Sequence, residues 1–221
     1  MVAFDGQDGR YPGNNNAGAK AMKMKLAHVF LAVALALPGL ALTGCETPPT
    51  ENFPELTYRH LAPINLAVGS FDVETRYIPP LKPPNVEHLA PVPPYKAVRQ
   101  WGLDRIRTAG GENRARLVIL DASIVGKDLP TKSGIEGAFT REQAKKYDGR
   151  IAVLLEILDP TGRQLAFVTA RAERSETAPE GATIAEREKI WFAMTESMMR
   201  DLNGQLEDNI QKYFGPYLAR G

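Results

Sequence analysis

Cysteine, histidine and a surplus of either charge are all scarce in this 221-residue chain. Its only thiol is Cys45, so no disulfide can form within it and its fold must rest on a hydrophobic core. Beyond residue 44 only two histidines remain, His60 and His88, both in proline-flanked stretches. No group of His, Cys, Asp and Glu falls at metal-ligand spacing, so no metal or cofactor is expected. Lysine and arginine number 27 against 26 acidic residues, a balance that gives no basic footprint for nucleic acid. Catalytic motifs are also missing. Gly69-Ser70-Phe71 lacks the second glycine of a nucleophile turn. Gly110-Gly111 has no lysine to make a phosphate cradle. Glu173 with Glu176, and Glu186 with Glu188, sit in charged surface stretches rather than in an apolar setting. The sequence reads as a non-enzyme.

One long apolar run is present. Lys20, Lys23 and Lys25 precede Leu26–Leu42, which is rich in Ala and Leu and is interrupted by Pro38-Gly39. That break argues against a continuous spanning helix. The run ends in Leu42-Thr43-Gly44-Cys45, two small residues before the lone thiol. These four residues resemble the lipobox of bacterial lipoproteins. The resemblance implies cleavage between Gly44 and Cys45, a diacylglycerol on the Cys45 sulfur and an N-acyl chain (palmitate) on its new amino group. It thereby implies a membrane-bound protein of the cell envelope. Glu46, where an inner-membrane retention signal usually has aspartate, implies the outer membrane, facing the periplasm. Residues 1–21 are polar and glycine-rich, unlike a signal peptide, and read as a start-site error ahead of Met22 or Met24.

Without residues 1–44 the chain keeps 23 basic and 24 acidic residues and is near neutral. Residues 45–59 read as a proline-rich tether and 60–221 as one domain. A second proline-rich stretch, 79–94, lies inside the domain and reads as a crossover of polyproline character. Before it, Ile64–Ile78 alternates with a change of phase at Gly69-Ser70, suggesting one bulged strand. A helix is expected over Pro93–Ala109 and a buried strand over Arg116–Val125. The polar stretch Gly126–Tyr147 holds a short helix at Arg141–Lys146 in this reading. Strands flank the turn Asp159-Pro160-Thr161-Gly162. Thr183-Ile184-Ala185-Glu186 is a capping box that opens a helix running to about Phe214. Trp191, Met194, Met198, Leu202, Leu206, Ile210 and Tyr213 recur along it at steps of three and four.

The pattern is α+β: a mainly antiparallel sheet of about four strands, with two main helices on one face, in the order β-α-β-β-β-α. That order over residues 60–215, with the lipobox, is similar to small periplasm-facing lipoproteins of envelope transport and assembly systems. Auxiliary lipoproteins of lipid-transport ABC systems, the partner of the lipopolysaccharide-inserting barrel and activators of peptidoglycan synthases are of this kind. The resemblance implies a non-catalytic adaptor that binds an envelope protein. Its expected contact surface is the crossover, through Tyr77, Ile78, Leu81 and Val86, or else an open strand edge. The alternative is a module for lipid or another apolar ligand, using the aromatic and methionine side chains of the last helix; a hydrolase ranks third.

Overall fold

The computed structural model describes residues 52–130 and 143–219. Gly44, Cys45 and the leader lie outside the described residues. Eight elements follow one another: β1 Ile64–Leu66, β2 Ser70–Thr75, α1 Pro94–Arg105, β3 Ile106–Thr108, β4 Arg114–Asp128, β5 Gln143–Leu158, β6 Gln164–Pro179 and α2 Ile184–Tyr213. Four strands form one sheet in the order β2-β4-β5-β6. β2 runs parallel to β4, and the other two pairings are antiparallel. Both helices pack on one face of this sheet, which gives the expected α+β class. β1 and β3 add a separate two-stranded parallel sheet.

Three local expectations are corrected. Ile64–Ile78 is two strands in two sheets, not one bulged strand. Gly69 sits between them, its amide donates to the Asn113 carbonyl at 2.8 Å, and a Cβ there would collide with the Gly111 carbonyl oxygen. The helix begun by Pro94 stops at Arg105 rather than Ala109. Ile106 pairs with Ile64, and its side chain reaches the core from an extended backbone as well as it would from a helix. Gln143–Lys146 is strand rather than helix, since Lys145 pairs with Asp128 and Lys146 with Lys127 across the β4–β5 ladder.

The bulge sought at Gly69 is found in β4. Core positions there run Ala115, Leu117, Ile119 and then Ala122, Ile124, and the register shifts between Ile119 and Asp121. Leu120 is the extra residue, and it keeps both halves of a long strand facing one core. β5 supplies Ile151, Val153, Leu155 and Ile157 to that face, and β6 supplies the smaller Val168, Ala170 and Ala172. The small side chains of β6 let α2 lie close to it. Gly149 serves the same end, because a Cβ there would stand 2.9 Å from the Met198 methyl.

α2 opens with the expected capping box: the Glu186 amide donates to Thr183 Oγ1 at 3.2 Å, and the Thr183 amide donates to Glu186 Oε2 at 2.8 Å. It buries Trp191, Met194, Met198, Leu202, Leu206 and Ile210. Trp101 of α1 is enclosed, and its indole donates to Asn203 Oδ1 of α2 at 2.8 Å, which ties the helices together. Along the outer edge of β6, Gln205 both accepts from the Arg171 amide (3.2 Å) and donates to the Arg171 carbonyl (2.9 Å). Asn209 donates to the Thr169 carbonyl at 2.9 Å. These amides stand where a further strand would pair.

Candidate functional site

β2 ends at Thr75, so the second half of β4 is left without a strand on that side. The proline-rich crossover takes the place. The Tyr77 amide donates to the Ile119 carbonyl (3.1 Å), Val86 to Ile124 (2.8 Å) and Gly126 to Pro84 (2.8 Å), with Asn85 bridged antiparallel to Val125. Pro83-Pro84 is a cis peptide within this stretch. The anchor point is Glu87, in a 3₁₀ turn over Glu87–Leu89 and fully buried. Its carboxylate accepts from the Tyr77 hydroxyl (2.7 Å), the Asn85 amide group (3.2 Å) and the backbone N–H of Ile124 (3.2 Å). A buried carboxylate with this many donors is stable only where all of them are held in place, so the network fixes the crossover to the sheet. Burial, and then its hydrogen bond to Glu87, push the Tyr77 phenol above its ordinary range, so it remains a donor.

The four expected contact residues fall into two groups. Ile78 is 83% exposed and Leu81 65%, both projecting from the crossover. Leu81 has φ of +56°, a left-handed backbone that costs a non-glycine residue about 1–2 kcal/mol. Strain of this kind persists only where the surrounding structure imposes it, and it gathers at functional loops. Tyr77 and Val86 face inward instead: the first completes the Glu87 network, and the second forms part of a cleft.

That cleft, of about 670 Å³, lies between the crossover, the far ends of β4 and β5, and the first turns of α2. The volume falls in the roughly 300–1,000 Å³ range of ligand sites. Its lining is mostly apolar: Pro84, Val86, Leu89, Tyr147, Ile184 and Trp191. Tyr147 and Trp191 are buried and meet edge to face at 5.4 Å. Leu89 and Ile184 are more than half exposed at the cleft. Arg187 and Glu188 lie on the same side, and Lys145 pairs with Asp128 at 2.6 Å across the strand ends. Burial raises the Tyr147 phenol, and the Arg187 charge acts against that shift. The Trp191 indole N–H and the Arg187 Nε–H are shielded and have no acceptor among the described residues.

Other expectations resolve differently. The methionine-lined groove is corrected: Met194, Met198 and Met199 are enclosed against the sheet. The β6 edge is closed by Gln205 and Asn209, which removes strand addition at Thr169 and Arg171. His60 is exposed in the segment before β1, whereas His88 is half-buried in the 3₁₀ turn with its Nδ1 unpartnered among the described residues. No described helix is long and apolar enough to cross a membrane. Glu87, Leu89 and Ile184 were missed as site residues. The available signal was a lone glutamate in an apolar, proline-rich run.

No protein-family model matches the chain, and no curated protein matches it. Among solved structures, a minor lipoprotein from Acinetobacter baumannii is 16% identical, with 71% of this chain and 99% of the other covered and a TM-score of 0.33. A candidate lipoprotein from Caulobacter crescentus CB15 is 13% identical over 61% of this chain and 86% of the other, with a TM-score of 0.28. A dodecameric PelC variant from Paraburkholderia phytofirmans is also 13% identical, covering 69% and 92%, with a TM-score of 0.20. These likenesses are shallow and say nothing about activity or partners.

Proposed function

We propose that this protein is a lipid-anchored, non-catalytic adaptor of the bacterial cell envelope, held at the outer membrane through Cys45 and facing the periplasm. Its folded domain docks an envelope transport or assembly protein on the outer surface of the crossover. The observation that carries the docking surface is Ile78 and Leu81, exposed on a segment that the buried Glu87 network and three backbone bonds hold rigid. Apolar side chains displayed on a preorganised backbone bind without the ordering cost of a flexible loop. The anchor rests on Leu42-Thr43-Gly44-Cys45 and the apolar run before it.

Two measurements test the two halves of this reading. Growth with labelled palmitate should tag the native chain and leave Cys45→Ser unlabelled and released from the membrane fraction; a labelled Cys45→Ser variant removes the anchor. Ile78→Asp with Leu81→Asp should leave folding and labelling intact while reproducing the envelope phenotype that Cys45→Ser produces. Full function in that double variant removes the docking surface.

A further inference from the structure

The cleft behind the crossover has chemistry that the adaptor role does not use. Its apolar walls, with the solvent-exposed Leu89 and Ile184 and a charged side at Arg187 and Glu188, call for an occupant that is long and apolar with a polar head. A peptide fits poorly. The edge of β4 beside the cleft is already paired, since the Val86 and Gly126 amides are taken by Ile124 and Pro84. A peptide backbone entering there would bury its own amides without partners, a cost of about 1–3 kcal/mol for each group. An acyl chain brings no such groups.

Chain length bears on the source of that acyl chain. Phe53 packs on Phe192 of α2 with ring centroids 5.2 Å apart, so the chain is fixed to the domain from that point. Seven residues separate Cys45 from Phe53, a span of about 28 Å at full extension. Ile184 stands about 12 Å along α2 from Phe192, at 1.5 Å per residue. On the lipid-anchored reading, the cleft is therefore within reach of the bilayer surface.

We infer that the cleft formed by Val86, Leu89, Tyr147, Ile184 and Trp191 holds an acyl chain of a phospholipid, whose head group lies at the charged side of the cleft beside Arg187 and Glu188. The supply of lipid rests on the Cys45 anchor; the fit of the cleft does not. Binding would cover Leu89 and Ile184.

Tryptophan fluorescence provides the test, because the chain has only Trp101 and Trp191, and Trp101 is sealed between the helices. The full chain is placed in vesicles of phosphatidylglycerol, with or without bromine at mid-acyl positions. Brominated lipid should quench about half of the emission in the native chain, and nearly all of it in Trp101→Phe. Ile184→Glu and Leu89→Glu, both at exposed positions, should restore the lost emission. Unquenched emission overturns the inference, as does equal quenching in those two variants, which would mean that α2 only lies against the bilayer. Palmitate labelling is read on the same samples. Quenching without labelled Cys45 refutes the anchor and leaves the cleft assignment standing, whereas labelling without quenching refutes the cleft alone.

Discussion

The two sides of the sheet are closed by opposite means. Beside β6, side-chain amides of Gln205 and Asn209 on a regular helix occupy the backbone groups, with Phe167 and Tyr213 exposed alongside. Beside the second half of β4, an irregular, proline-rich segment supplies backbone partners itself and turns Ile78 and Leu81 outward, with Leu89 at a cleft. Both devices prevent aggregation through an open edge. Only the second displays its apolar side chains from a strained backbone, at Leu81, and it is held by a buried carboxylate. On the proposed reading, the crossover is the docking side of the domain and the β6 side is structural.

Removing the crossover's anchor should produce the largest effect. Glu87→Leu leaves the Tyr77 hydroxyl, the Asn85 amide and the Ile124 N–H unsatisfied, and should destabilise the protein by about 3 kcal/mol. Denaturant unfolding followed by circular dichroism reads this directly. A loss under 1 kcal/mol would mean that the crossover is only loosely held. On the β6 side, Gln205→Ala should cost about 1 kcal/mol, the worth of exposed amide bonds, and should leave partner binding untouched. With Asn209→Ala added, sedimentation should detect self-association through the freed edge.

Part of this contrast was legible in the sequence. β5, β6 and α2 announced themselves through strict alternation, the Asp159–Gly162 turn and the capping box, because each pattern has one local solution. What failed was local evidence with two solutions. Ile106 continues a helical stripe and also fits an extended strand, and only its pairing with Ile64 decides. The phase change at Gly69 fits a bulge or a change of sheet. The apolar run of β4 hid the Leu120 bulge because Val118 is buried on the other face of the sheet. Lys145 and Lys146 read as the end of a short helix because their partners, Asp128 and Lys127, are equally polar and no apolar alternation marks the strand. Within the candidate site, Ile78 and Leu81 were identified but Glu87 was not, since burial of a glutamate depends on three donors from separate positions.

Smaller effects sharpen the comparison. Asparagine tolerates the left-handed backbone better than leucine, so Leu81→Asn should raise stability by up to about 1 kcal/mol while weakening docking. Thermal unfolding and the envelope phenotype should therefore move in opposite directions; a variant that loses stability would refute strain at that residue.

The Asp159 turn, remote from the crossover, supplies a pH-dependent control. The Thr161 hydroxyl, followed by backbone and side-chain donors of Arg163, holds its carboxyl down to about 2, despite a smaller opposing effect of burial. A depressed value means that the stabilisation is complete above the unfolded carboxylate's pKa of about 4 and is lost as pH falls toward 2. The Tm difference between the native chain and Asp159→Asn should be constant from neutral pH to about pH 5 and vanish near pH 2. A difference that grows with acid would refute this sign. Partner docking should be the same in both proteins at neutral pH.

Site-specific crosslinking in intact cells tests the central comparison most directly. A photoreactive residue is placed at Ile78 in one strain and at Arg171, on the β6 edge, in another. The account expects one discrete envelope-protein adduct from position 78, lost in the Leu81→Asp background, and none from position 171. Matching adducts from both positions, or an adduct only from 171, would contradict it.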